Sequence, residues 1–233
     1  MIRIFIGTGQ SGLWSISAEG SMETASEYVY VVDDEVNVRE ALSALLRANG
    51  RQVRTFTSGQ RFLEFVRQDS CACLILDLNM PGLGGLEVQR VILTKSSIPV
   101  IFLTGRGDIP STVRAMRGGA VDFLTKPVDE KALLASVERA LNQDRASRLD
   151  AAQHAELVRR YESLTPRERD VLPLLVDGML NKQVAFHLGI TEYTVQIHRG
   201  HIMRKMEADS FATLVRLAGK LGLAPPSTSS RNA

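Results

Sequence analysis

The feature that most constrains this chain is an alternation. Tyr28–Val32, Val53–Phe56, Cys73–Leu76, Pro99–Leu103 and Val121–Leu124 are short apolar runs, and each is followed by a stretch whose apolar residues recur at helical spacing. Strand and helix in strict alternation predict a parallel sheet covered by helices on both faces, with right-handed crossovers. Val36 to Asn49 is one such helix, with Val38, Leu42, Leu45 and Leu46 inward and Asn49-Gly50 as its stop. Ser58 is placed to cap a second, running to about Arg67 with Phe62, Leu63 and Val66 inward; Gly84–Leu93 and Asp108–Met116 are the next two. The run Cys73-Leu74-Ile75-Leu76 passes directly into Asp77 and is closed by Met80-Pro81-Gly82. It reads as a strand buried on both faces, with its carboxylate at the carboxyl edge where open α/β sheets carry their chemistry.

Other polar residues reach the same edge. Asp33 and Asp34 end the first strand, Thr104 ends the fourth and Lys126 follows the fifth. Carboxylates this close repel one another unless a cation joins them, and an all-oxygen set without His or Cys suits a hard ion such as Mg²⁺. A nearby ammonium and hydroxyl would neutralise and bond phosphoryl oxygens, leaving Asp77 as the nucleophile that forms an acyl phosphate. A single Asp at a strand end is more often a helix cap, so the reading rests on the whole group.

Residues 1–26 are expected to be a poorly ordered extension, with Met22 a candidate translation start. Residues 27–130 form the α/β unit. Asp129 to Ser163 reads as one long helix with a stripe of Leu133, Leu134, Val137, Leu141, Leu149 and Leu157. Its first half is expected to pack on the sheet. Its second half, within the linker 131–163, reads as either a solvated spacer or a dimerising helix. Thr165-Pro166-Arg167-Glu168 is a capped helix start, and short helices follow at about 166–177, 181–188, 192–206 and 210–221 within a unit spanning 164–223. Pro173 predicts a kink in the first of these. Residues 224–233 are Pro/Ser-rich and expected to be disordered.

The whole chain carries a net charge of +2, but the carboxyl-terminal end holds nine Lys/Arg, tail Arg231 included, against six Asp/Glu. That bias suits a polyanion. The helices at 181–188 and 192–206, joined at Gly189, have a helix-turn-helix layout, with Thr194, Gln196, Ile197, Arg199, Gly200, Arg204 and Lys205 on the second and Lys182 at the start of the first. The two cysteines, Cys71 and Cys73, are read as buried thiols, which suits a reducing cytoplasm. No apolar run approaches the roughly 20 residues of a membrane helix.

Asp33-Asp34, Asp77 with Met80-Pro81-Gly82, Thr104-Gly105 and Lys126-Pro127 resemble the receiver domain of two-component response regulators. The resemblance implies a flavodoxin-like doubly wound sheet of five strands in the order 2-1-3-4-5. It implies that Asp77 takes a phosphoryl group from a sensor histidine kinase. Mg²⁺ would be held by Asp34, Asp77 and the Asn79 carbonyl, with Asp33 acting through water. It further implies a cis Lys126–Pro127 bond, and Thr104 and Phe123 as the switch pair.

Leu164-Thr165-Pro166-Arg167-Glu168-Arg169, Asn181-Lys182-Gln183-Val184-Ala185, Leu188-Gly189-Ile190 and Thr194-Val195 with His198-Arg199 resemble the all-α DNA-binding domain of the FixJ/NarL (LuxR-type) regulators. This implies a homodimer, formed on phosphorylation, on double-stranded promoter DNA, with RNA polymerase as a further partner and no membrane. Lys182, Arg199 and Lys205 would hold phosphates, and Gln196, Ile197 and Gly200 would face bases. Gln196 stands where relatives often carry Lys, which shifts the expected preference toward adenine; Gly200 has no side chain to read with. Two rival classes are a phosphatase-like enzyme, which needs an acid where Asn79 stands, and a phosphorelay adaptor whose helical end binds protein.

Overall fold

The structure, a computed structural model, describes residues 27–65, 70–95, 97–105 and 109–223. The α/β part runs β1 (Tyr28–Val32), α1 (Val36–Ala48), β2 (Gln52–Phe56), α2 (Gly59–Glu64), β3 (Ala72–Asp77), α3 (Gly85–Lys95), β4 (Val100–Thr104), α4 (Ile109–Arg117) and β5 (Asp122–Thr125). All strand pairs are parallel, in the order β2-β1-β3-β4-β5. The most apolar run, β3, lies centrally and is buried along its whole length, whereas β2, with exposed Gln52, Arg54 and Thr55, takes an edge.

Side chains alternate between the two faces, as the two-residue period of a strand requires. Tyr30, Val32, Leu74, Leu76 and Phe102 pack with Phe62 of α2 and Val88 and Ile92 of α3. Val29, Val31, Cys73, Ile75, Ile101 and Leu103 pack with Leu42 and Leu46 of α1 and Leu133, Val137 and Leu141 of the next helix. Both cysteines are free thiols within this packing. Helix α2 stops at Glu64, earlier than the apolar pattern suggested; Val66 and Arg67, like Asp108, lie outside the described residues.

The long helix is α5 (Glu130–Glu162), capped by Asp129, whose carboxylate accepts from Ala132 N at 2.9 Å. Its first half is tied to the amino-terminal edge of the sheet. Buried Asp144 accepts from Ala72 N at 2.9 Å, just where β3 begins. Around it, Arg51 pairs with Glu27 (2.7 Å) and Glu138 (2.5 Å), and Arg145 pairs with the same two carboxylates (2.8 and 3.1 Å), closing a ring of charges. Leu149 corrects the expected stripe: it is 60 % exposed, because α5 has by then passed beyond the sheet. Leu157 is buried, but in a different core, among Leu164, Val171, Leu172, Val184, Val195 and Leu214 of the helical end.

That end consists of α6 (Pro166–Val176), α7 (Asn181–Leu188), α8 (Glu192–Lys205) and α9 (Phe211–Lys220). Thr165, Thr191 and Ser210 cap α6, α8 and α9 through side chains that accept from Glu168 N, Thr194 N and Thr213 N. Gly189 ends α7 at φ 64°, a left-handed conformation natural to glycine. Pro173 lies inside α6, which continues through it.

Glu168 closes a capping box with Thr165 and also takes Lys205 Nζ at 2.7 Å. Burial alone would raise its pKa, but the donors from Lys205 and Thr165 prevail and bring it to about 2 from an ordinary 4.5. A folded pKa below the unfolded one adds stability at higher pH, here on the order of 3 kcal/mol, lost as pH falls from about 4.5 toward 2. In urea titrations across this window, wild type should lose stability that Glu168→Gln lacks at neutral pH. Equal acid sensitivity of the two proteins would refute this assignment.

Candidate functional site

The carboxyl edge of the sheet gathers the residues expected there. Val32 and Leu76 are register partners, so Asp33 and Asp77 leave β1 and β3 side by side. Both are buried, at 0 and 4 % exposure, whereas Asp34 faces solvent. Carboxylate oxygens of Asp33, Asp34 and Asp77 all lie within 4.8 Å of one another. Such a set, oxygen-only and open to solvent on the Asp34 side, fits a hard divalent cation with part of its water shell retained.

Lys126 supplies the opposite charge. Its ammonium lies 2.7 Å from Asp33 Oδ2 and 3.1 Å from Asp77 Oδ1. Burial pulls the Lys126 pKa down, but contact with Asp33 and Asp77 outweighs this and holds it above the ordinary range, so the group is charged. Burial pushes the Asp77 carboxyl up; Lys126 opposes this, Asp33 adds to it, and the result is raised. Thr104 is buried at the end of β4, one residue beyond the register partner of Asp77, and its carbonyl accepts Lys126 N at 2.7 Å. That bond sets the ammonium's stem against β4. The Lys126–Pro127 bond is cis. Asn79 is exposed, and its N–H donates to Asp77 Oδ2 at 3.2 Å. Phe123 is half-buried, 6.5 Å from Phe102 between ring centroids.

Three contributors escaped the sequence reading. Arg39 Nη1 donates to the carbonyls of Asp33 (2.8 Å) and Asp34 (2.9 Å), fixing the acidic turn from α1. Glu35 Oε1 lies 3.2 Å from the Lys126 ammonium. Gly85 packs so closely under the turn after β3 that a Cβ there would fall 2.4 Å from the Asp77 carbonyl oxygen. Arg39, a turn after Asp34 on a helix, was a legible signal; the contacts of Glu35 and Gly85 are tertiary and were not.

On the helical end, Lys182, Gln196, Ile197, Gly200 and Arg204 are exposed, and Thr194 is half-buried within the α8 cap, its Oγ1 2.8 Å from that of Thr191. A Cβ at Gly200 would meet nothing within 4 Å, so a ligand could approach the α8 backbone there. The Arg199 guanidinium stacks 4.7 Å from the centre of the Phe211 ring, which holds it in place. Lys205 is half-buried. Its ammonium lies 2.7 Å from Glu168 and 3.2 Å from the Ser163 carbonyl, which fastens α8 to the α6 cap and leaves its third N–H unassigned.

Residues 29–138 match the response regulator receiver domain, and residues 162–218 match the bacterial regulatory proteins of the luxR family. The chain therefore belongs to the response regulators that join a receiver to a LuxR-type DNA-binding domain. It is 45 % identical to Nodulation protein W of Bradyrhizobium diazoefficiens, over 84 % of this chain and 86 % of that protein. It is 38 % identical to the transcriptional regulatory protein FixJ of the same organism, over 86 and 98 %. The solved structure of the response regulator StyR, 45 % identical, superposes with a TM-score of 0.76 over 84 % of this chain and all of that one. A LuxR-type domain favours DNA, not protein, as the target of the helical end, so the adaptor reading is set aside. Among the described residues, no helix is long and apolar enough to cross a membrane.

Proposed function

We propose that Asp77 accepts a phosphoryl group from a sensor histidine kinase and that the phosphorylated chain dimerises on promoter DNA to regulate transcription. The observation that supports this most is the placement of a buried carboxylate, Asp77, 3.1 Å from a charged ammonium within a three-carboxylate cluster. Asp33, Asp34 and Asp77, with the Asn79 carbonyl, would hold Mg²⁺; the ion would supply positive charge to the phosphoryl oxygens. The chain's own residues do the rest. Asp77 attacks phosphorus as the donor's leaving group departs, and an acyl phosphate forms on its carboxylate. Lys126 donates to the new phosphoryl oxygens, and the Thr104 hydroxyl turns toward them. Phe123 then moves into the space Thr104 leaves. That repacks the face shared by α4 and β5, where Val113 and Met116 are exposed, and biases it toward a second copy.

On DNA, Lys182, Arg199 and Lys205 hold phosphates while Arg204 adds charge, and Gln196, Ile197 and Gly200 face the bases, with Thr194 at the groove edge. The proposed division is a receiver core at 27–130, a linker helix at 131–163 and a DNA-binding unit at 164–223, acting in the cytoplasm with RNA polymerase as the downstream partner. The test is labelling of the full chain by phosphoramidate with Mg²⁺. One phosphoryl group per chain, borne by the peptide that contains Asp77, supports the reading; no label, or sustained turnover of phosphate esters, opposes it.

A further inference from the structure

The Lys126 ammonium has three N–H donors, and three carboxylates surround it: Asp33 at 2.7 Å, Asp77 at 3.1 Å and Glu35 at 3.2 Å. Two of these are buried, but the Glu35 side chain is 63 % exposed and stands at the solvent side of the site. The contacts with Asp33 and Asp77 are ion pairs, and the ammonium's hydrogen bond to Glu35 Oε1 at 3.2 Å competes with a phosphoryl group on Asp77 for the same cation. The exposed pair is the cheapest to break, because solvent-facing ion pairs contribute little. Glu35 is also held in register: its own N–H donates to Asp33 Oδ1 at 2.9 Å, so its side chain starts beside the acidic cluster. Its charge adds to those of Asp33, Asp34 and Asp77 at the mouth through which an anionic donor must pass.

We propose that Glu35 is a built-in brake on phosphoryl acceptance. It accepts a hydrogen bond from the Lys126 ammonium in the resting protein and repels anionic donors, and it is displaced when the phosphoryl group arrives. This rests on the reading of Asp77 as phosphoacceptor. Asp77 Oδ attacks phosphorus as the bond to the leaving group breaks: the P–O bond of acetyl phosphate, whose electron pair leaves with acetate, or the P–N bond of phosphoramidate, whose already protonated nitrogen leaves as ammonia, so no further reagent is needed. Glu35 touches no reacting atom. It acts through Lys126 and through its field, so it is a positioning residue.

The experiment compares wild type and Glu35→Gln at saturating Mg²⁺, measuring labelling rates with acetyl phosphate, a dianion, and phosphoramidate, a monoanion at neutral pH. The amide keeps the shape of the side chain and removes its charge. Three results are expected together. Glu35→Gln labels about three- to tenfold faster with acetyl phosphate, the fold-change that roughly 0.7–1.4 kcal/mol of removed repulsion and competition produces. The gain is smaller with phosphoramidate. The rise in wild-type rate with added salt, caused by screening of the mouth charges, is flatter in the variant. A purely structural role for Glu35 would move neither the donor ranking nor the salt slope. Equal or slower labelling of Glu35→Gln, or an unchanged salt slope, overturns the brake while leaving Asp77 as acceptor. Failure of wild type itself to label overturns both.

Discussion

Asp77→Asn is expected to abolish labelling by phosphoramidate or acetyl phosphate while the protein stays folded. The amide occupies the same volume at the end of β3 and can still accept the Asn79 N–H, now 3.2 Å from Asp77 Oδ2. What it lacks is an anionic oxygen to attack phosphorus, and no neighbour can replace that oxygen in place. Asp33 sits deeper, at 0 % exposure and 2.7 Å from Lys126. Stability should change little. Burial already pushes the Asp77 carboxyl up, so removing its charge relieves a desolvation cost as the contact with Lys126 weakens. Lys126 keeps Asp33 and Glu35 as partners. Intact mass after exposure to the donor reads the first effect, and a urea midpoint shift worth less than about 1 kcal/mol reads the second. Persistent labelling of Asp77→Asn would assign the acceptor to another residue.

Gly85→Ala should be among the most damaging single-methyl changes in the receiver. The added Cβ would lie 2.4 Å from the Asp77 carbonyl oxygen, 3.0 Å from Leu78 Cα and 3.1 Å from Phe102 Cε1. Two of these atoms are backbone and the third belongs to a fully buried ring, so none can swing aside as a surface side chain would. Gly85 N also donates to the Leu78 carbonyl at 3.0 Å, which ties the start of α3 to the segment that must retreat. Overpacking of a core costs about 1–3 kcal/mol, and the immobility of these obstacles puts the expected loss near 3 kcal/mol. The turn that must move carries Asp77 and Asn79, so labelling should slow as well. Unfolding of Gly85→Ala at the wild-type urea concentration would show that this turn yields more readily than its contacts imply.

Why the edge was readable and the rest was not follows from the range of the forces involved. The strand ends at Asp33, Asp77 and Thr104 were legible because a buried strand writes itself as an apolar run and stops where a polar residue begins. The caps at Ser58 and Thr165 were legible because a capping side chain and its N–H lie three residues apart. Leu149 misled: helical spacing continues along α5 after the sheet beneath it has ended. The contact of Lys205 with Glu168, 37 residues earlier, has no local signal either. Buried Asp144 and the Glu35–Lys126 contact likewise join positions 72 and 91 residues apart, which no local pattern encodes.

Affinity of the full chain for promoter duplex, measured at fixed salt before and after phosphorylation and alongside Asp77→Asn, tests the coupling of site to DNA most directly. Dimerisation adds a second half-site, so wild type should bind at least about tenfold tighter once phosphorylated, with a steeper dependence on protein concentration. Asp77→Asn, carried through the same treatment, should not change. Identical affinity of phosphorylated and unphosphorylated wild type would contradict control of the DNA-binding end by the carboxylate at the end of β3.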